Sequence, residues 1–472
     1  MKKSNIVALV AITMLFLTLS AYGQTKPKSI NLMVDGTFLA PENGEKLLTD
    51  EFKNLTGINL VLDHPAHTEY NTKVDLAFTT GGIPDVLILS GNQYVKYAVA
   101  GLLADVTSLY NNSSIKKNIK DPGVIESLKI KGKLYGIPLE RGNGTITYVR
   151  GDWLDKLGMK TPTNYAEFLK MLRAFKNKNP DGLKPNEVIP ITAVGLVNTE
   201  YPLDIYLREF YQDATPDYVQ VNGKWVDGML QPNFPAALER MRQAYAEGLI
   251  DTEIVTNKTS TARDKWNAGK VGAFNYWAGQ WNLNLYNTIT PNKPQAIVRP
   301  IPAIKETRYV ERPATVYAIT KAARDPSAVF KYFHEFVLDG GVGQKWITFG
   351  LESKMYKLVD GKVSWLPSIA NPKSNFTRVG VSPELPVTKW NSPYVAPPLV
   401  ADSLEMFQKN AVAYSLIPYT EEAMELVSDL NSIRSKYIAA AVFGKTDVKT
   451  ALATYAKEVS KYHRIILREL NK

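Results

Sequence analysis

The 472-residue chain contains no cysteine. That absence excludes a disulfide framework, a thiolate-held zinc or iron–sulfur centre, a thiol nucleophile and a diacylglyceryl-cysteine anchor. Histidine is nearly absent as well, with only His64, His67, His334 and His463. His64 and His67 stand three apart in a loop-like stretch, and no further histidine joins them to complete a zinc motif. No G-x-S-x-G, H-E-x-x-H or phosphate-binding P-loop occurs. The residues call for no cofactor and identify no catalytic group. Past the opening residues, no segment carries the ~20 consecutive apolar residues that a membrane span needs.

What is present describes a folded, exported protein. The length predicts two or three domains with real cores, and 22% charged with 10% aromatic residues excludes a disordered chain. Lys2 and Lys3 precede an apolar run from Ile6 to Leu19, and Ala21-Tyr22-Gly23 places small residues where a signal peptidase cuts. Residues 1–23 therefore read as a signal peptide, cleaved before Gln24. Basic residues number 56 against 46 acidic ones. In a lysine-rich exported protein that excess is a solvated surface, so nucleic acid is not an expected partner.

The body begins as βαβ. Ile30, Leu32 and Val34 alternate with period two and end at Asp35-Gly36-Thr37, after which Leu47, Leu48, Phe52 and Leu55 follow a helical repeat. A strand over Asn59 to Leu62 comes next, then Pro84 to Leu89, whose unbroken apolar run suits a parallel strand buried on both faces. Ligands of such sheets gather at the carboxyl ends of strands, which singles out Asp35, Gly36, Thr37, Ser90, Gly91 and Asn92. Further on, Asn164 and Glu167 form a capping pair, Pro235 opens and Gly248 closes a helix, and Leu452, Tyr455, Val459, Tyr462 and Ile466 make one apolar helical stripe.

Ordered motifs across the mature chain resemble a known family. Tyr70 to Asp85 (YNTKVDLAFTTGGIPD), Ala100 to Asp105, Gly132 to Pro138 (GKLYGIP), Tyr148 to Gly158 (YVRGDWLDKLG), Pro162 to Leu172, Glu247 to Asp251 (EGLID), Asn267 to Phe274 and Val442 to Asp447 follow in order the signatures of family 1 extracellular solute-binding proteins of ABC importers. The resemblance is to the larger oligosaccharide-binding branch that includes alginate-oligosaccharide binders. It implies an α/β fold of two lobes with several crossings between them. The expected division is 24–143 and 305–366 for the first lobe, 144–304 and 367–472 for the second. It implies a monomer that captures an oligosaccharide and presents it to an ABC permease without chemistry. The missing lipid-anchor cysteine favours a periplasmic or secreted location. The rival reading is a secreted carbohydrate-active hydrolase using two carboxylates, a pair that 46 acids always permit.

A sugar site needs aromatic platforms for C–H faces and forked polar groups for hydroxyls. Trp277 and Trp281, four apart with Gln280 between, are expected to share one side of a helical turn. Trp390 and Asn391 lie in an irregular, proline-rich stretch. Arg141, Asn143 and Tyr148 fall at the expected first crossing, followed by Arg150 beside Asp152, and Arg312 and Tyr317 reach in from elsewhere. A guanidinium forks onto vicinal hydroxyls or a uronate carboxylate, so these fit neutral or acidic sugars. Trp153 and Trp266 read as core and Trp225 as a hairpin tip. Some relatives carry a calcium loop; the matching stretch here leaves Asn179, Asp181, Asn186 and Glu187 as candidate ligands, fewer than the six to eight oxygens calcium takes.

Overall fold

The computed structural model describes residues 25–36, 45–66, 69–195, 206–371 and 382–472. The signal segment, Thr37 and His67 lie outside them. In chain order the strands are β1 (Ser29–Met33), β2 (Asn59–Asp63), β3 (Val86–Leu89), β4 (Ile137–Pro138), β5 (Thr145–Arg150), β6 (Ile189–Thr192), the hairpin β7 (Tyr218–Val221) and β8 (Lys224–Asp227), β9 (Val271–Trp277), β10 (Val298–Pro300), β11 (Tyr309–Glu311), β12 (Val316–Ile319), the hairpin β13 (Tyr356–Val359) and β14 (Lys362–Trp365), and β15 (Ala411–Ala413). Two sheets organise the molecule, one per lobe. The first runs β2-β1-β3-β12-β4, and the second β10-β5-β9-β6.

In the first sheet β1, β2 and β3 are parallel, as the βαβ pattern predicts, and β12 lies antiparallel between β3 and β4. All four residues of β3 are buried, which is why its sequence is an unbroken Val-Leu-Ile-Leu. The pairing of Val316 with both Leu89 and Pro138 has a geometric consequence. The segments that precede β12 and follow β4 leave the sheet at the edge where β1, β2 and β3 end. In the second sheet β6 and β9 are parallel, β5 is antiparallel to β9, and Thr145 faces Trp277. The chain entering β5 and the chain leaving β9 therefore share one edge. Both sheets turn their carboxyl edges toward the crossings, where α/β sheets bind ligands.

Three segments form those crossings. Residues 139–144 run in the middle: Arg141 N donates to Leu385 O at 3.0 Å on one side, and Arg312 N donates to Asn143 O at 3.0 Å on the other. Glycine permits this close approach. A Cβ at Gly142 would stand 1.9 Å from Arg312 O, and one at Gly144 would stand 2.1 Å from Val310 O and 2.7 Å from the Phe407 ring.

Two sets of contacts bear on where the lobes divide. Residues 305–311 are tied to Thr163 and to β15, since Lys305 N bonds Thr163 O and β11 pairs with β15. Residues 387–389 are held against Asn118, Lys120 and Gln344 by Lys120 N to Val387 O (2.8 Å), Lys389 N to Asn118 O (2.6 Å) and Gln344 Nε2 to Thr388 Oγ1 (2.7 Å). The chain returns to the second lobe only at the helix Pro398–Asn410, whose Leu399 carbonyl takes the Asn282 amide.

The helices follow their sequence signals. Asn164 Oδ1 accepts from Glu167 N at 3.0 Å and Glu167 Oε2 accepts from Thr163 N at 2.9 Å, opening Tyr165–Lys178. The helix Val448–Leu470 buries its Leu452-to-Ile466 stripe beside the helix Glu421–Val442. Behind that pair, Asp227 accepts from Tyr455 at 2.5 Å and meets His463 Nε2 at 2.7 Å, tying the last helix to the β7–β8 hairpin.

Candidate functional site

The site is built where the crossings meet the two carboxyl edges. Trp277 is the last residue of β9, not part of a helix, and the helix Gln280–Ile289 begins only after the left-handed Gly279 (φ 78°). Trp277 and Trp281 therefore do not share a helical face. The four-residue spacing spans a strand end, a turn and a helix start. Trp277 is half-buried, and the guanidinium carbon of Arg312 lies 4.1 Å from its ring centroid. Trp281 turns elsewhere, edge-on to Tyr276 at 4.8 Å with Arg263 above it at 5.1 Å.

A buried polar relay holds the Trp277 turn. Tyr148 Oη donates to Trp277 O at 2.8 Å and lies 2.7 Å from Ser403 Oγ, while Gly279 N donates to Ser403 Oγ at 3.0 Å. Since the Tyr148 proton goes to the carbonyl, the Ser403 hydroxyl donates to Tyr148. Tyr148 is fully buried, so it braces the platform from behind and has no surface to offer a ligand. Tyr317 is likewise buried, with its ring 5.8 Å from Phe333 in the first lobe's core. Both were expected as ligand contacts; both sit on strands buried on either face.

Beside Trp277, Asn143 Nδ2 donates to Ala278 O at 3.2 Å and Oδ1 accepts from Gly144 N at 2.8 Å. Arg141 forks onto Glu311, with three N–O distances of 3.0–3.2 Å. Glu140, just before it, was not singled out in the sequence. Its carboxylate accepts from Ser382 N at 2.6 Å. Burial pushes that carboxyl up to about 7, the negative charge of Glu384 adds to the rise, and the Ser382 hydrogen bonds and Arg312 oppose it. Glu384 stands on the second lobe's side as well: a Cβ on Gly279 would lie 3.5 Å from its Oε1. The signal that marks Glu140 is its place two residues after the Gly132-to-Pro138 signature. Glu384 carries no such mark.

The remaining candidates have surroundings of their own. Asp35 is half-buried just past β1, and Ser90 and Asn92 are exposed at the start of the helix Gly91–Val99. The helix Glu421–Val442 approaches that helix from the opposite lobe. Gln280 donates to Asn284 Oδ1 at 3.1 Å. Trp390 packs 5.3 Å from Phe349, in an aromatic cluster with Trp365 and Tyr394, and Asn391 beside it is exposed. Trp153 and Trp266 are fully buried.

The calcium candidates are spoken for. The Asp181 side chain is 1% exposed and is paired with Arg150 Nη2 and Lys156 Nζ, each at 2.8 Å, and with Lys293 Nζ at 3.5 Å. Burial alone would raise its carboxyl, but Lys156 and Arg150 outweigh that and hold it well below the usual carboxylate range. Asn179 closes on the backbone of Leu183, and Glu187 pairs with Lys270 at 3.2 Å. Three cations converge where a calcium loop would converge oxygens, so these residues do not fit the ion. Among the described residues no group of three or more acidic or histidine side chains is arranged to hold a metal.

The family model of bacterial extracellular solute-binding proteins matches residues 41–361. The chain belongs to this family. Among curated relatives, this solute-binding protein is 24% identical over 269 residues to the fructooligosaccharide ABC transporter substrate-binding protein FusA of Streptococcus pneumoniae, covering 53% of this chain and 50% of FusA. It is 24% identical over 225 residues to lipoprotein LipO of Bacillus subtilis, covering 46% and 44%. The chain thus spans about half the length of the curated relatives it matches. Among solved structures, alginate-binding protein AlgQ2 without calcium ion aligns with a TM-score of 0.68 at 20% identity over 95% of this chain and 99% of that one. FusA in complex with kestose aligns at 0.67 and 17% over 92% and 96%. These structures place the solute-binding protein in the two-lobed α/β fold.

Proposed function

We propose that this protein captures an oligosaccharide between its lobes and presents it to an ABC permease in the membrane, without chemistry of its own. One observation carries the reading. Both sheets direct their carboxyl edges at three side-by-side crossings, and there Trp277 supplies an aromatic face among carboxylates and guanidiniums from both lobes. The oligosaccharide-binding relatives support it. In this reading the chain is exported, cleaved before Gln24, and works as a monomer in the periplasm or outside the cell, with no cofactor and no nucleic-acid partner. The first lobe comprises 25–143 and 312–396, and the second 144–311 and 397–472. We assign Trp277, Asn143, Arg141 and Arg312 to the centre of the cleft, with Asp35, Ser90, Asn92, Trp390 and Asn391 on its first-lobe side and Gln280 and Trp281 on its second; Thr37 lies outside the described residues.

Lobes joined by a few crossings close by hinge bending once ligand engages both. Small-angle scattering of the purified chain should show a smaller radius of gyration with a bound oligosaccharide, and the sugar should be recovered intact. An unchanged radius at saturation overturns the capture reading. Hydrolysis products in proportion to protein would instead establish the carbohydrate-active hydrolase, with Glu140 and Glu384 the carboxylates to test first.

A further inference from the structure

We propose that the junction selects uncharged, hydroxyl-rich oligosaccharides over uronate chains, with Glu140 the specificity-determining acceptor. The inference rests on the oligosaccharide reading above and adds the charge of the ligand, which the sequence left open between neutral and acidic sugars.

Recognition of a uronate needs a guanidinium or ammonium with hydrogen-bonding capacity to spare, ideally a fork free to meet the carboxylate edge-on. Each arginine at the junction already has a carboxyl group acting on it. Arg141 spends its fork on Glu311, with both carboxylate oxygens at 3.0 Å from Nη2. Arg312 lies over Trp277 with its carbon 4.1 Å from the ring centroid, and Glu140 faces its charge. Among the described residues, two guanidiniums there meet three carboxylates: Glu140, Glu311 and Glu384. Carboxyl groups outnumber guanidiniums there before any ligand arrives.

A ligand carboxylate brought beside Glu140 would add like charge to a site where the negative charge of Glu384 already acts on that group. Such juxtaposition is the repulsive element by which a site rejects a wrong partner. A hydroxyl is the opposite case. It donates to a carboxylate, and a hydrogen bond to an ionised acceptor is among the strong ones. Glu140 is suited to that task because Ser382 N fixes Oε2 at 2.6 Å, and the backbone on either side is pinned, by the Glu140–Pro386 bridge and by Arg141 N on Leu385 O. A pinned acceptor gives orientation as well as affinity. The Trp277 face beside it takes sugar C–H groups, for which uncharged pyranose and furanose rings serve equally.

The test is calorimetric titration of the full mature chain with matched probes: neutral tri- and tetrasaccharides, tetragalacturonate, and tetragalacturonate with its carboxyls methyl-esterified. Neutral chains should bind, and removal of charge by esterification should tighten binding more than about tenfold. In Glu140→Gln and Glu384→Gln that ratio should shrink while far-UV circular dichroism stays native. Tighter binding of the free uronate than of its ester by the wild-type chain overturns the proposal, whatever the variants do. Equal binding of the two also overturns it. Failure of every saccharide to bind overturns the oligosaccharide reading itself, and this inference with it, which is a different result from a reversed preference.

Discussion

Replacing Asp181 with asparagine keeps the shape of the loop and removes the charge at its centre. The side chain is 1% exposed and holds Arg150 and Lys156 at 2.8 Å and Lys293 at 3.5 Å. Arg150 is itself fully buried, bonded to Asp152 and stacked 4.8 Å from Trp153. The variant therefore strands positive charge inside the second lobe with Asp152 as the remaining partner of Arg150. Breaking a buried pair from one side costs about 3–5 kcal/mol. At roughly 2–4 °C per kcal/mol for a lobe of this size, Asp181→Asn should melt ~6–20 °C below wild type. The pH dependence has a definite sign. A carboxylate whose folded value is depressed stabilises fully above its unfolded value of about 4 and loses that contribution as pH falls through the folded one. The gap in urea-unfolding free energy between wild type and variant should be flat from neutral pH to about pH 5 and close only at strongly acid pH. A gap under about 1 kcal/mol at pH 7, the size of a surface pair, would refute the assignment of a buried structural charge.

The same cluster predicts that calcium chloride and chelator leave the melting temperature unchanged, whereas a saturated site at a hundredfold its Kd would add about 2.7 kcal/mol; a saturable rise would show that the loop still binds the ion. Trp277→Ala should weaken oligosaccharide binding by over about tenfold, since a lost aromatic anchor costs on the order of 2 kcal/mol, while melting of the free protein stays near wild type; unchanged affinity removes Trp277 from the site. Gly144→Ala places a methyl 2.1 Å from Val310 O, so the crossings must part. Differential scanning calorimetry should show a loss of about 1–3 kcal/mol, and wild-type stability would mean that the crossings have slack.

Much of the frame was legible because it is local. The run Val86 to Leu89 declares a doubly covered strand, and the Asn164–Glu167 pair declares its helix start. The site was less legible, for two physical reasons. A spacing of four reads the same on a helix as across a strand end and turn, and the sequence does not disclose that Gly279 takes φ 78° and separates Trp277 from Trp281. Tyr148 sits in a strand whose six residues are all buried, so no alternation warns that its hydroxyl serves Trp277 and Ser403 instead of a ligand. The partners of Glu140 come from 382–386, some 240 positions away, a pairing that only the folded chain creates.

The back-and-forth of the backbone also governs how the molecule comes into being. The first sheet lacks β12 until residues 316–319 exist, and the segment at 382–394 seals it later still. The β7–β8 hairpin waits longer: Trp225 N donates to Asn471 Oδ1 and Trp225 O accepts from Asn471 Nδ2, a closure across 246 positions. Neither lobe can mature in the order its residues leave the ribosome, and contacts so distant form slowly. A chain that stays open until nearly all of it has been made is one that a translocase can still thread. In this protein the topology that encloses the cleft also ties the completion of each lobe to the synthesis of residues far along the chain.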